Sequence, residues 1–338
     1  MDINAVTPSH FFAELADKIS LFCDVSKDAV VSLPDVGLLY EVPLVLERGS
    51  LDEIVAKYLD LPSAKAEVGD WAQLVETMKT PKHTVRIAMV GKYTQLQDSY
   101  ISIVESLKHG GIANSTSIEF KWINAELVET VEDLDPLLRD AHGIIVPGGF
   151  GIRGVEGKIK AIKYARENNI PFLGLCLGMQ CAVIEFARHV CDLAGAHSSE
   201  FDPDTKYPVI DLMAEQRGVD KKGGTMRLGA YPCRVMPGTR LYEIYKEDLV
   251  MERHRHRYEL NNDYRAKLEN AGLKCSGVYE KADLVEVVEI PAHPFFMATQ
   301  YHPEFKSCPT RPHPIFSAFV KAATDRLEEQ APLFKEGT

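Results

Sequence analysis

The sequence has no apolar run near the roughly 20 residues needed to cross a bilayer. It also lacks the basic and then apolar opening of a secretory leader, since it begins MDINAVTPSHFF. These two absences set the expectation of a cytoplasmic protein with no membrane partner. Cysteine is sparse and unpaired in pattern. The seven residues Cys23, Cys176, Cys181, Cys191, Cys233, Cys275 and Cys308 form an odd set with no Cys-x-x-Cys spacing. That excludes a disulfide framework and a zinc knuckle, and no metal site is expected. Positive charge is outweighed: 38 Lys and Arg stand against 49 Asp and Glu, a net charge of -11. General nucleic-acid binding, which needs a cationic surface to displace counterions, is therefore not expected. No internal repeat, no low-complexity tract and no glycine-rich phosphate loop with its lysine is present.

What is present is ordinary for a globular chain, with 45% hydrophobic and 26% charged residues. A length of 338 residues accommodates one large domain and an appendage. Residues 1–82 read as that appendage. Lys18 to Cys23 looks like a short strand, Val42 to Tyr58 has helical spacing, and Leu61 to Lys65 looks like a connection. The stretch is too broken for a core of its own and reads as a remnant of a neighbouring domain, with a linker ending near Lys82.

Residues 83–338 are regular. Val85–Val90, Ser117–Ile123, Gly143–Val146 and Pro171–Leu175 read as strands, the continuous apolar runs being buried on both faces. Helices are predicted from a cap at Asp98 to His109, over Val155–Asn168 and over Gly178–Val190. Leu284–Ile290 and Phe295–Tyr301 read as paired strands, and Ile315–Leu327 as a closing helix. Strands alternating with helices predict an α/β fold, an open, mostly parallel sheet covered by helices on both faces.

Three motifs carry chemistry. In Gly174-Leu175-Cys176-Leu177-Gly178-Met179-Gln180, a cysteine sits between a strand and a helix with a glycine two positions to either side. Such spacing permits the sharp turn that lifts a nucleophile to the carboxyl edge of a sheet. The helix N-terminus behind it favours thiolate over thiol. A nucleophile needs a base and the base an orienter. Tyr301-His302-Pro303-Glu304-Phe305 supplies both, for Pro303 holds His302 extended and residues i and i+2 then share a side. The triad is thus Cys176, His302 and Glu304. Pro147-Gly148-Gly149-Phe150-Gly151 follows a strand, and its glycines let backbone N–H groups approach a substrate. The N–H groups of Gly149 and Leu177 are assigned to an oxyanion hole. A fourth segment, Glu252 to Tyr258, concentrates arginine and histidine in an acidic chain and suggests either one anionic ligand or a set of buried ion pairs.

Together these motifs resemble the class I glutamine amidotransferases and, within them, the CTP synthase family. The likeness extends to Gly91-Lys92-Tyr93, Arg153 to Lys158, Gly224 to Gly229, Glu252 to Glu259 and Lys18 to Val25, so it runs from about residue 18 to about residue 322. It implies L-glutamine as substrate, with contacts from Gly149, Leu177, Gly178, Met179, Gln180, Glu200 and Arg257. It also implies a loop at Arg153, Gly154 and Glu156 linked to activation by GTP. The glutaminase step needs no cofactor. ATP and Mg²⁺ belong to a synthetase domain whose core this sequence does not supply, and the complete enzyme is expected to be a homo-oligomer. Alone, the chain is expected to hydrolyse glutamine at most and not to make CTP. Rival expectations are a poised or inactive regulatory module and a cysteine peptidase or γ-glutamyl hydrolase on the same scaffold. Ala196-His197-Ser198-Ser199-Glu200 departs from the family, which usually has asparagine and threonine there.

Overall fold

The structure, a computed structural model, describes residues 8–62, 66–212 and 226–330, with side chains from residue 13 onward. Ser63 to Lys65, and Gly224 and Thr225 of the glycine-rich segment, lie outside the described residues. The chain divides into two compact units, Met1–Thr80 and Pro81–Thr338.

The described part of the first unit is helical: α1 (Pro8–Cys23), α2 (Val42–Arg48), α3 (Leu51–Tyr58) and α4 (Gly69–Lys79). The strand expected at Lys18 to Cys23 is instead the last turns of α1. Leu15, Ile19 and Phe22 lie at helical spacing, and a six-residue apolar window is too short to separate strand from helix. The helical run from Val42 to Tyr58 breaks at Gly49-Ser50, where Ser50 takes the left-handed conformation, φ 53°. The presumed linker contains α4, held by Trp71, whose Nε1–H donates to the Tyr40 carbonyl at 2.7 Å. Lys79 also pairs with Glu41.

The second unit begins with β1 (His83–Gly91), α5 (Ile101–Ala113), β2 (Thr116–Asn124), α6 (Ala125–Thr130) and α7 (Asp135–Leu138). It continues through β3 (Gly143–Val146), α8 (Val155–Glu167), β4 (Phe172–Leu175), α9 (Leu177–His189), β5 (Ala196–Ser198) and β6 (Tyr207–Leu212). Then come β7 (Arg227–Val235), α10 (Arg240–Tyr245), β8 (Leu249–His256), β9 (Tyr258–Leu260) and α11 (Asn262–Asn270). It closes with β10 (Lys274–Tyr279), β11 (Leu284–Glu289), β12 (Phe296–Thr299) and α12 (Pro314–Gln330).

Among the described residues the main sheet has nine strands in the order β2-β1-β3-β4-β12-β11-β10-β7-β8. From β2 to β12 every pairing is parallel; from β12 onward every pairing is antiparallel. A small second sheet holds β5, β6 and β9. The core follows from the alternation of side chains along each strand. Ala88 and Val90 of β1 face a layer shared with α6, α8 and α9, whereas Val85, Ile87 and Met89 face one shared with α5 and α12. Each such fully buried aliphatic side chain contributes roughly 1.5–3 kcal/mol, so both helix layers are held firmly to the parallel strands.

Asp98 does not cap α5. It lies in a 3₁₀ turn, and the helix starts after Tyr100 without a side-chain cap. Burial of Tyr100 sets the entry instead, its hydroxyl oxygen accepting from the Lys92 and Tyr93 amides at 3.0 and 3.1 Å.

Candidate active site

Cys176 stands at the end of β4, the strand flanked by β3 and β12, as the residue preceding α9. Its backbone is forced, with φ 50° and ψ -102°, a conformation that side-chain-bearing residues avoid unless their surroundings impose it. The surroundings do. A Cβ on Gly178 would fall on the Val146 carbonyl oxygen, and one on Gly174 would come within 2.9 Å of Ala298 Cβ and of the Gly178 backbone. The two glycines therefore let α9 start against β3 while the chain reverses. The Cys176 amide donates to the Thr299 carbonyl at 2.7 Å, tying the turn to β12.

That tie explains the partner. Thr299 is in register with Leu175, so the chain leaving β12 delivers His302 beside the cysteine. A Cβ on Gly148 would lie 3.1 Å from His302 Cε1 and 3.5 Å from Cys176 Cβ, so ring, thiol and loop converge on one spot. His302 is fixed from behind by Glu304, whose Oε1 lies 2.7 Å from Nδ1, and its amide donates to the Arg253 carbonyl at 2.8 Å. The segment is not extended through Glu304 as the sequence predicts. Pro303 to Phe305 forms a single 3₁₀ turn, which Pro303 favours at its first position, and the carboxylate folds back onto the ring. His302 Nε2 is buried, on a ring that Gly148 shares with Cys176 as a neighbour.

Burial alone would push the His302 imidazole down, but the charge and hydrogen bonding of Cys176 and then Glu304 carry it up to about 10. The sign of the linkage follows. A histidine raised from 6.5 in the folded state stabilises the fold fully below 6.5 and loses that contribution as pH rises towards 10. The difference in melting temperature between the native chain and His302→Gln should therefore be largest below pH 6.5 and shrink towards pH 10. A difference that widens with pH would show that the ring is not held as imidazolium.

A cavity of about 260 Å³ opens on the pair, lined also by Gly148, Gly149, Phe150, Tyr93 and Arg255. Gly149 lies against the Leu177 side chain, its Cβ position 3.6 Å from the leucine Cδ2. The other candidates divide. Met179 is in the core and Gly178 is consumed by the turn. Gln180, 4% exposed, donates from Nε2 to the Tyr258 carbonyl at 2.9 Å. Glu200 and Arg257 form a second group beside the loop. Burial raises the Glu200 carboxyl above its ordinary range, opposed by the Arg257 charge and a bond from the Gly151 amide. In the Arg153–Glu156 loop, Arg153 pairs with Glu126 at 3.0 Å and Glu156 with Arg188 at 2.8 and 3.1 Å, while Gly154 is left-handed at φ 77°.

The arginine and histidine segment resolves by alternation along β8. Glu252, His254 and His256 point inward and Arg253 and Arg255 outward. Of the inward set, Glu252 meets Lys306 at 2.9 Å and His313 at 3.2 Å, and His254 meets His256 at 2.9 Å; beside them Arg227 of β7 meets Glu286 of β11 at 2.5 Å. His254 and His256 are neutral: burial and then the Arg227 charge drive His254 far down and His256 down to about 3. Outward, Arg255 lies over the Phe150 ring at 5.5 Å. Two residues near the cysteine carry no assignment from sequence. Lys158 is 1% exposed, with Nζ 3.7 Å from the Gly149 Cβ position, and Gln300 is fully buried with Nε2 3.7 Å from the Cys176 sulfur. Gln300 directly precedes Tyr301-His302, the only sequence signal that could have marked it.

Fold and site together define a class I glutamine amidotransferase domain, and the family model described as glutamine amidotransferase class-I matches residues 95–322. A second model, described as CTP synthase N-terminus, matches residues 5–61. A CTP synthase of Caldanaerobacter subterraneus subsp. tengcongensis is 58% identical over 309 residues, covering 91% of this chain and 57% of that protein. One from Bacillus subtilis is 51% identical over 317 residues, covering 94% and 59%. Among solved structures, the glutaminase domain of Trypanosoma brucei CTP synthase with bound acivicin is 41% identical, with TM-score 0.67, covering 71% of this chain and 94% of that one. The chain belongs to the CTP synthase family. It spans a little under three fifths of the length of the curated relatives it matches.

Proposed function

We propose that this chain is the glutaminase part of a CTP synthase and hydrolyses L-glutamine through a thioester on Cys176. The observation that carries the reading is the convergence of Cys176, His302 and Gly148 at the ends of paired parallel strands, with Glu304 behind the ring.

In this reaction the thiolate attacks the side-chain amide carbon of glutamine, and the carbonyl electrons move onto oxygen. The Gly149 and Leu177 N–H groups stabilise that oxyanion, each worth about 10²-fold in rate. Collapse breaks the C–N bond, and the leaving nitrogen takes the proton from His302 as ammonia departs. The neutral imidazole then removes a proton from water, the resulting hydroxide adds to the thioester, and cleavage of the C–S bond frees glutamate and restores thiolate and imidazolium. Glu304 keeps one ring tautomer throughout and stabilises the charged ring. Glu200 suits the α-ammonium of glutamine and Arg257 its α-carboxylate, with Gln180 as a further contact. In the complete enzyme the ammonia passes to UTP activated at the expense of ATP, with ATP and Mg²⁺ held by the synthetase domain. GTP acts at the Arg153–Glu156 loop. We assign this enzyme to the cytoplasm as a homo-oligomer.

Acivicin, bound in the T. brucei glutaminase domain, supplies the test. Incubation with it, followed by peptide mass spectrometry, should place one adduct on Cys176. An adduct confined to another cysteine, or none at all, would overturn the reading.

A further inference from the structure

The glutaminase reading requires a thiolate at Cys176. Two carboxamides behind the cysteine bear on this. Gln300 is fully buried on the segment that links β12 to His302, and its amide nitrogen donates to the Glu286 carbonyl at 2.8 Å, so its backbone is fixed. Gln180 is 4% exposed on the first turn of α9. The Gln180 Nε2 lies 2.9 Å from the Tyr258 carbonyl oxygen and 3.4 Å from the near atom of the Gln300 carboxamide.

A carbonyl oxygen only accepts, so the Gln180 atom facing Tyr258 must be the NH₂ group. The Gln300 atom that the same NH₂ meets must then be oxygen. This leaves the Gln300 NH₂ directed at the Cys176 sulfur, at 3.7 Å. The chain of donors therefore runs in one direction, from Gln180 to Gln300 to sulfur: turning Gln300 alone faces two NH₂ groups at each other, and turning both faces the Gln180 oxygen at the Tyr258 carbonyl. The sulfur also meets the Arg255 carbonyl at 3.9 Å, a partner for the thiol proton only. The two protonation states thus have different partners, and the hydrogen-bond donor the structure places on the sulfur is Gln300.

We propose that Gln300 is a further catalytic residue of this glutaminase, its Nε2–H hydrogen-bonding the Cys176 thiolate, with Gln180 as the positioning residue that sets its orientation. The proposal rests on the reading of Cys176 as the nucleophile. A hydrogen bond to the charged form lowers the pH at which a thiol ionises, by about one unit for a single bond of this kind. Its loss in Gln300→Leu leaves about tenfold fewer thiolates below the midpoint. The more basic sulfur is about threefold more reactive, because nucleophilicity rises with basicity, so alkylation there slows about threefold net. Gln180→Leu, which frees the Gln300 amide to turn, gives a smaller shift the same way. Gln300→Glu keeps the shape and, once ionised, faces the sulfur with like charge and gives a larger one.

The experiment follows iodoacetamide alkylation of the Cys176 peptide by mass spectrometry across pH, in the native chain and the three variants, with thermal melting as a check of folding. Acivicin labelling of Cys176 is measured alongside. The expected result is an upward move of the alkylation midpoint that grows in the order Gln180→Leu, Gln300→Leu, Gln300→Glu. An unchanged midpoint in the variants that fold, with Cys176 still labelled by acivicin, overturns the role of Gln300 and leaves the glutaminase reading standing. A shifted midpoint in the variants with no acivicin adduct on Cys176 of the native chain supports the thiolate contact and rejects that reading. Should Gln300→Leu fail to fold, the Gln300→Glu and Gln180→Leu midpoints decide the matter.

Discussion

Cys176→Ala is expected to lower glutamate release from glutamine by about 10⁴-fold or more while leaving the melting temperature within a few degrees of the native value. The magnitude is that of removing the nucleophile from a triad, where the remaining groups have no bond to activate. Substitution by Cys181, Cys233 or Cys275 is blocked by environment. Burial pushes Cys181 and Cys275 up to about 12 and Cys233 well above the ordinary range, so none is a thiolate at neutral pH. The side-chain change itself is small, and Cys176 is confined by backbone rather than by apolar packing, so the fold has little to lose. An enzyme-coupled glutamate assay, run with and without GTP, checks the outcome. An unchanged rate would end the assignment of a cysteine mechanism.

The second large effect is structural and falls on the same turn. Gly178→Ala is expected to lower the melting temperature by about 10 °C, from a loss of about 3 kcal/mol, and to reduce acivicin labelling of Cys176 with it. A methyl group there meets the Val146 carbonyl, a backbone atom that can retreat only by parting β3 from α9. The control is Gly69, which has nothing within 4 Å of its Cβ position and lies in a helix. Gly69→Ala should be neutral or slightly stabilising, because alanine loses less backbone freedom on folding. Differential scanning fluorimetry of the two variants makes the comparison, and equal behaviour would show that the turn is not crowded as described.

What could be read before the structure was the part dictated by local chemistry. Gly143–Val146 and the strand before Cys176 are apolar runs with no other way to be buried, and their bounds match the observed β3 and β4 within a residue. The elbow was legible because glycine two residues either side of a cysteine has few other uses. The antiparallel half of the sheet was only partly legible. Arg227–Val235 and Leu249–His256 mix charged with apolar residues, and only the folded chain reveals that Glu252 meets Lys306 and His313, Arg227 meets Glu286, and His254 meets His256. Lys18 to Cys23 misled for the opposite reason: a window too short to show its period. Gln300 was invisible because its role depends on which atom of a distant glutamine faces it.

One feature of the sheet bears on how such domains diverge. Because the turn at Cys176 is tied to Thr299, and His302 follows three residues later, the reacting pair depends on two short neighbouring segments and not on the long excursion between them. That excursion, with the small sheet and the antiparallel strands, can be lengthened, trimmed or rebuilt to suit a different acceptor of ammonia. Sulfur and imidazole would still be inherited at the same spacing.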